Sequence, residues 1–505
     1  MKPGFHRVIM LAAILCSAAV LPMQAQHPAA VELPKTQLGN IIHRFITAMN
    51  SGNADSISQF TGRYLNTDLA NVGTSTWTRE KYSMMLKKLQ EQSGSISPVD
   101  IRQSPSPLYC AVIFQSSKVK KIIGIEFHQQ QNAESLRFIE LHPMNPPSAP
   151  YQWQEKKMDV REIASAVDAR VRFEADKDEF SGTVLIAKYD SVLFKKSYGY
   201  RDRSRQLRNT NDTRYHTGSI GKMITAVAIG QLVEQGKLSF GDTLGNILHQ
   251  YPNKEAASKV TVHELLTHTS GIQDPFELGR RKEGELYSTP ASNFPLFADA
   301  PLTMTPGDHH SYSNGNFAVL AAIVEERSGE TFEHYLNEHI FTPAGMKCAD
   351  LSTYKQLPRA ASYTHVPLKD PLGIEERSPA RPLESDPEFE YSGFSNTYMT
   401  ADDVFHFLLA LRQGKLCSLE MVDQLTTGKV FIEKGMPFKY GYGFYDATMW
   451  GTTMRGHSGG GSNSGIGAEA EMVWDKNYYV VVLGNYDLEV VRPLTFSIVR
   501  FLGKQ

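Results

Sequence analysis

Cysteine is scarce in this chain, with four among 505 residues. Cys16 sits in an N-terminal apolar stretch, and Cys110, Cys348 and Cys417 are scattered along the remainder. At most one bridge can form among those three, which excludes a disulfide framework. The absence of any C-x-x-C pair excludes a cysteine-rich zinc site. An excess of either charge is also missing: 52 Lys+Arg stand against 54 Asp+Glu, for a formal charge of −2. The basic run Lys118-Val119-Lys120-Lys121 reads as a solvated strand edge, so nothing here suits a nucleic-acid partner. Apolar residues make up 41% and charged residues 21%, a globular balance that excludes wholesale disorder. Beyond residue 25 no run reaches the roughly 18 apolar residues of a spanning helix, so no stable membrane insertion is expected of the mature chain.

What is present begins with a basic start (Lys2, His6, Arg7), an apolar middle (Val8–Leu15, continuing to Leu21) and small or polar residues at Gln24-Ala25-Gln26. This order predicts a secretory signal over 1–25, cleaved after Ala25, and hence a secreted or periplasmic protein. Leu38, Ile41, Ile42, Phe45, Ile46 and Met49 recur at helical spacing, and further helices are predicted over 54–60 and 78–91. Strand-like runs follow at 109–114, 120–127 and 135–141. Helices followed by an antiparallel meander predict a small α+β domain over 27–145. Four prolines within His142–Pro150 predict an extended linker, taken as 146–157. The rest, 158–503, opens with a helix and a hairpin turning at Tyr189-Asp190, and closes with strands at 440–445, 468–474 and 478–483 and a helix over 489–502. Helices at 219–235, 261–267, 315–328, 331–339 and 401–413 lie between, with Thr400 and Asp403 as a start signal for the last. This pattern predicts one antiparallel sheet built from both ends, flanked by helices, with a helical region inserted.

Three short motifs carry chemistry. Ser219 opens an apolar helix and Lys222 lies one turn on, on the same face. A serine hydroxyl needs a base beside it, and a desolvated lysine can serve. Two other Ser-x-x-Lys copies, at 117–120 and 352–355, fall in the meander and in a loop. Tyr312-Ser313-Asn314 stands in a Gly/Ser-rich loop before another apolar helix, whereas Tyr64, Tyr251 and Tyr335 head less favoured Tyr-x-Asn copies. A phenol near a lysine can be pushed toward phenolate and act as a base, and Asn314 offers a donor and an acceptor to a substrate amide. His457-Ser458-Gly459 runs into Gly460 and Gly461, where glycines admit a ligand close to the backbone, and an edge strand there could supply an oxyanion donor. His268 is expected to shape a turn rather than bind metal, His309-His310 lack a third ligand, and Asp402-Asp403 read as a helix start.

Together, and in this order, the motifs resemble the serine β-lactamase-related family of class C β-lactamases, D-alanyl-D-alanine carboxypeptidases and related esterases. Phe180–Ala187, Val262–Ile272, Gly393–Asp403 and Val480–Tyr486 resemble further segments of it. The resemblance covers 158–503 and implies a β-lactamase/transpeptidase-like fold, an α+β class overall. It implies Ser219 as the acylated nucleophile, Lys222 as its proton partner and Tyr312 as general base and acid. Asn314, His457, Ser458 and Gly459 would bind substrate, and the backbone N–H groups of Ser219 and Gly460 would form the oxyanion hole. No metal or organic cofactor is implied. His457 stands where β-lactamases usually carry lysine, and a histidine is mostly neutral at pH 7, which weighs toward an esterase or peptidase. The expected activity is hydrolysis of esters or D-amino-acid-terminated peptides through an acyl-enzyme. The alternatives are a true β-lactamase, a penicillin-binding sensor and an inactive binding scaffold. Residues 27–145 weakly resemble the cone-shaped nuclear-transport-factor-two-like fold, carried by Phe45–Asp55 and the meander, and cones of that kind can dimerise.

Overall fold

The computed structural model describes residues 33–65, 71–72, 75–76, 79–103, 109–118, 122–129, 134–144, 153–154, 156–276, 278, 280, 289–347, 358–365, 379–383, 393, 398–432, 437–461 and 464–505. The expected signal segment, most of the proline-rich linker, Cys348, Lys120 and the Ser352–Lys355 copy lie outside the described residues.

Helices α1 (Gln37–Asn50), α2 (Ala54–Tyr64) and α3 (Arg79–Ser93) precede a four-stranded antiparallel sheet. Its strands are β1 (Ile96–Gln103), β2 (Tyr109–Ser116), β3 (Ile122–Gln129) and β4 (Leu136–Met144), in that spatial order. The side chain of Thr36 caps α1, and that of Asn53 caps α2 after the expected break. Phe45 packs its ring against Phe60, Phe114 and Phe127, joining the apolar face of α1 to the sheet. Strand β1 was not expected. It is polar, carries Pro98 beside a register shift, and lies at the sheet edge, where a missing N–H is tolerated.

Helix α4 (Val160–Ala175), started by a capping box between Asp159 and Glu162, leads into an eight-stranded antiparallel sheet. Strands β5 (Gly182–Lys188) and β6 (Ser191–Tyr198) form the expected hairpin around Tyr189-Asp190. The chain then builds helices α5 (Gly221–Glu234), α6 (Asn314–Ser328) and α7 (Ala401–Arg412). Thr400 and Asp403 make the capping box of α7. Strands β7 (Val430–Phe431), β8 (Phe438–Tyr440), β9 (Tyr445–Met449), β10 (Thr452–Gly460), β11 (Gly467–Val473) and β12 (Tyr478–Gly484) follow, and helix α8 (Leu488–Gly503) ends the chain. The spatial order is β7-β8-β9-β10-β11-β12-β5-β6, so the first hairpin docks on the last strand.

Period-two alternation assigns the two faces of this sheet. Val184, Ile186, Val480 and Val482 pack with Val167 of α4 and Val491 and Ile498 of α8. Leu185, Ala468, Ala470, Val481 and Leu483 pack on the other side with α5, α6 and α7. Helix α5 is buried from Gly221 to Leu232, as expected of a helix that is apolar all round. The expected strand over 440–445 is two strands joined by a turn at Gly441–Phe444. Gly443, at φ +75°, lets that turn approach the Lys222 carbonyl and Ala226 on α5.

Candidate active site

Ser219 lies in a single 3-10 turn, Gly218–Ile220, at the mouth of α5. Lys222 is fully buried one turn later, and its Nζ lies 2.9 Å from Ser219 Oγ and 2.8 Å from Asn314 Oδ1. Tyr312 donates to Ser219 Oγ at 2.8 Å. Tyr312 and Asn314 arrive together because Ser313 caps α6, accepting from the Gly315 N–H. The structure therefore brings Ser219, Lys222, Tyr312 and Asn314 into one hydrogen-bonded cluster. The competing Tyr-x-Asn copies do other work: Asn253 caps a short helix at Lys254–Lys259, and Tyr335 and Asn337 sit within helical turns.

Strand β10 brings the third motif. It is an inner strand rather than the expected edge strand, lying between β9 and β11. Its pairing with β9 ends at Tyr445↔Gly456, while its pairing with β11 runs on to Gly460↔Gly467. Residues 457–460 therefore outrun β9 and expose one backbone edge, and the Ser219 turn fills that place. A Cβ on Gly459 would lie 1.9 Å from the Thr217 carbonyl oxygen and 3.0 Å from Ser219 N, so only glycine permits the approach. Gly460, at φ +111°, turns the strand end. The N–H groups of Ser219 and Gly460 belong to these two abutting segments, the arrangement an oxyanion hole requires.

The electrostatics assign the protonation states. Burial pushes the Lys222 ammonium down to about 7, opposed by the nearby Asp274 carboxylate. Burial pushes the Tyr312 phenol well above its usual 10. The expected drift of Tyr312 toward phenolate is thus reversed: taking the ring from water costs more than its neighbours repay. His457 is 1% exposed. Its Nε2 pairs with the Tyr440 hydroxyl at 2.9 Å, its Nδ1 lies 2.6 Å from the Ser458 carbonyl, and its ring stacks on Tyr445 at 4.4 Å. Burial depresses it to about 3, so it is neutral at pH 7 and backs the site with both ring nitrogens engaged inside the protein. Ser458 points to the opposite sheet face, where Arg492 of α8 donates to its Oγ.

Asp274, Glu469 and Glu471 escaped sequence reasoning. Asp274 is 2% exposed and accepts from the Asn314 N–H at 2.7 Å and from Asn314 Nδ2 at 2.9 Å. His268 shapes a turn, as expected: at φ +55° it accepts at Nδ1 from Ser313 N–H and Asn316 Nδ2, and its carbonyl accepts from Ser311 N–H. It thereby ties down the loop that carries Tyr312. Glu469 and Glu471 of β11 lie on the face covered by α8, and Arg492 Nε donates to Glu469 at 2.9 Å. A charged residue on a strand otherwise buried on both faces was the available signal for these two acids.

The Beta-lactamase family model matches residues 166–495. A "Putative penicillin-binding protein PbpX" of Bacillus subtilis is 35% identical over 269 residues, 53% of this chain and 62% of that protein. The chain thus spans less than two thirds of that relative. A "Teichoic acid D-alanine hydrolase" of Staphylococcus aureus is 26% identical over 306 residues, 60% of this chain and 70% of that protein. The crystal structure of a penicillin-binding protein from Bacillus halodurans superposes with a TM-score of 0.54 at 29% identity, covering 67% of this chain and 99% of that one. With Ser219, Lys222, Tyr312 and Asn314 gathered in one cluster on this fold, the chain belongs to the β-lactamase family.

Proposed function

We propose that this chain is an exported hydrolase of esters, or of amides and peptides bearing D-residues, working through an acyl-enzyme on Ser219. The observation that carries the reading is Ser219 Oγ held between a buried lysine poised near neutrality and a neutral tyrosine. Neutral Lys222 takes the Ser219 proton as Oγ attacks the substrate carbonyl carbon. The oxyanion is received by the N–H groups of Ser219 and Gly460. As the tetrahedral adduct collapses, the Lys222 proton passes through the Tyr312 hydroxyl to the leaving oxygen or nitrogen. A water molecule then attacks the acyl carbonyl, giving its proton to the same pair, and the free acid leaves with Ser219 restored.

The neutral His457 weighs against a true β-lactamase, because no fixed cation stands at that position for a substrate carboxylate. The Staphylococcus aureus relative, named for removing D-alanine from teichoic acid, supports D-alanyl esters as the first substrates to try. The test is turnover of paired D- and L-alanyl esters beside a simple chromogenic ester. Faster release from the D-ester supports the reading. Absence of turnover, with Ser219 acylated by a penicillin, would replace it with the penicillin-binding sensor, the reading favoured by the names of the two Bacillus relatives.

A further inference from the structure

Asn314 could face Lys222 with either end of its amide. The side chain is symmetric in shape, and a flip exchanges an acceptor for a donor. What stands behind it decides the orientation. Asp274 lies in the loop that follows the buried Thr267–Ser270 turn. Its Oδ1 accepts from the Phe276 N–H at 2.9 Å, and its Oδ2 accepts from both Asn314 nitrogens. Two of these partners, the Phe276 and Asn314 backbone N–H groups, are donors however the amide is turned, the pattern of a carboxylate, which only accepts. The Asn314 NH2 must therefore face Asp274, and its carbonyl oxygen must face Lys222 Nζ, 2.8 Å away. A flipped amide would set donor against donor at Lys222 and oxygen against oxygen at Asp274.

This matters for the nucleophile. A neutral amine has two N–H groups and one lone pair. An obligate acceptor at Asn314 claims one N–H, which turns the lone pair toward the Ser219 hydroxyl. When Lys222 takes up the proton, the Asp274 charge lies one amide away. The other titratable groups packed around Lys222 are Tyr312, His268 and His457, and burial favours the neutral form of each. Burial raises the Asp274 carboxyl as well, but the N–H groups of Asn314 and Phe276 and the Lys222 charge oppose it, and those donors hold it as the anion that acts on this lysine among the described residues.

We infer that Asp274 is a positioning residue for the acyl-enzyme reaction, fixing the Asn314 amide so that Lys222 presents its lone pair to Ser219 and supplying the counter-charge to the ammonium formed there. The inference rests on the proposed role of Lys222 as the base. It applies to substrates of any acyl class, because Asp274 touches the machinery and not the acyl group.

The experiment compares the pH dependence of kcat/KM for a small chromogenic ester between the wild type and Asp274→Asn, each checked for folding by circular dichroism and thermal unfolding. The wild type is expected to lose activity as pH falls through about 7, where Lys222 becomes protonated. Asp274→Asn removes a negative charge, so the ammonium is less favoured and the acid limb moves to lower pH. The plateau falls at least about tenfold, because the amide is free to flip. A purely structural aspartate would lower the plateau or the melting temperature and leave the limb in place, and that result would overturn the inference. If the asparagine variant does not fold, Asp274→Glu, which keeps charge and acceptor, is expected to hold the limb at its wild-type position, and a displaced limb would equally overturn it. A wild type with no acid limb near neutrality, or undiminished turnover by Ser219→Ala, would instead remove the parent reading.

Discussion

Lys222 should make the protein less stable than it would be without it, in a manner set by pH. The side chain is fully buried on α5, and burial brings its ammonium from an ordinary 10.5 to about 7. A lysine depressed in the folded state penalises folding wherever the unfolded chain is protonated, and the penalty changes with pH where the native chain has already lost that proton. The penalty is complete below about pH 7, shrinks as pH rises, and vanishes above the unfolded value. Each pH unit of that interval is worth about 1.4 kcal/mol, so the whole interval amounts to roughly 5 kcal/mol. Lys222→Met fills the same space without the charge. It forfeits the hydrogen bonds to Ser219 and Asn314, worth about 1–3 kcal/mol, but that loss does not depend on pH. The variant should be the more stable protein at pH 7, with its lead over the wild type shrinking by about 4 kcal/mol between pH 7 and pH 10. Urea denaturation of both proteins at the two pH values measures this, and groups titrating in both chains cancel in the difference. A lead that stays constant with pH would mean that Lys222 is an ordinary ammonium in the native state.

Three further outcomes are expected. Gly459→Ala should reduce ester hydrolysis at least about a hundredfold, the cost of disrupting an oxyanion donor, because its Cβ would collide with the Thr217 carbonyl, whereas Gly461→Ala, with open space around it, should be silent. Wild-type rates in Gly459→Ala would refute the oxyanion assignment. Among the two acids of β11, burial and the neighbouring Glu469 charge push Glu471 well above the carboxylate range, so Glu471 holds the proton and Glu469 carries the charge that meets Arg492. Glu471→Gln should then cost less than about 1 kcal/mol in an unfolding titration and Glu469→Gln about 2 kcal/mol, the buried-pair figure reduced because Arg492 is 43% exposed; the reverse order would reassign the proton. Tyr312→Phe should fold normally, lose most turnover, and keep the acid limb near pH 7 in what remains, since that limb belongs to Lys222; a limb that disappears with the phenol would return the base role to Tyr312.

The cluster of Ser219, Lys222, Tyr312 and Asn314 was legible because both of its motifs sit at a helix start, where composition and period announce the element. Ser219 and Lys222 share a helical face, and the Ser313 cap fixes Tyr312 and Asn314. Strand β10 was not legible. Thr452–Gly460 contains three glycines and few residues that favour strands, and it is a strand because β9 and β11 pair with it on either side. The missed β1 has the same origin, with Pro98 masking an edge strand that β2 holds in place. Asp274 belongs to no motif and lies forty residues before Asn314, so only the folded loop reveals their contact. The roles of Tyr312 and His457 could not be settled by residue type. A phenol beside a lysine can move either way, and burial decides that both side chains stay neutral.

The central claim is a covalent acyl group on Ser219. The most direct measurement is intact-mass and peptide mass spectrometry after a rapid acid quench of the enzyme with a slowly released ester. Addition of one acyl mass to the peptide that contains Ser219 in the wild type, and no adduct in Ser219→Ala, is the expected result. An adduct on another residue, or continued ester turnover by Ser219→Ala, would contradict it.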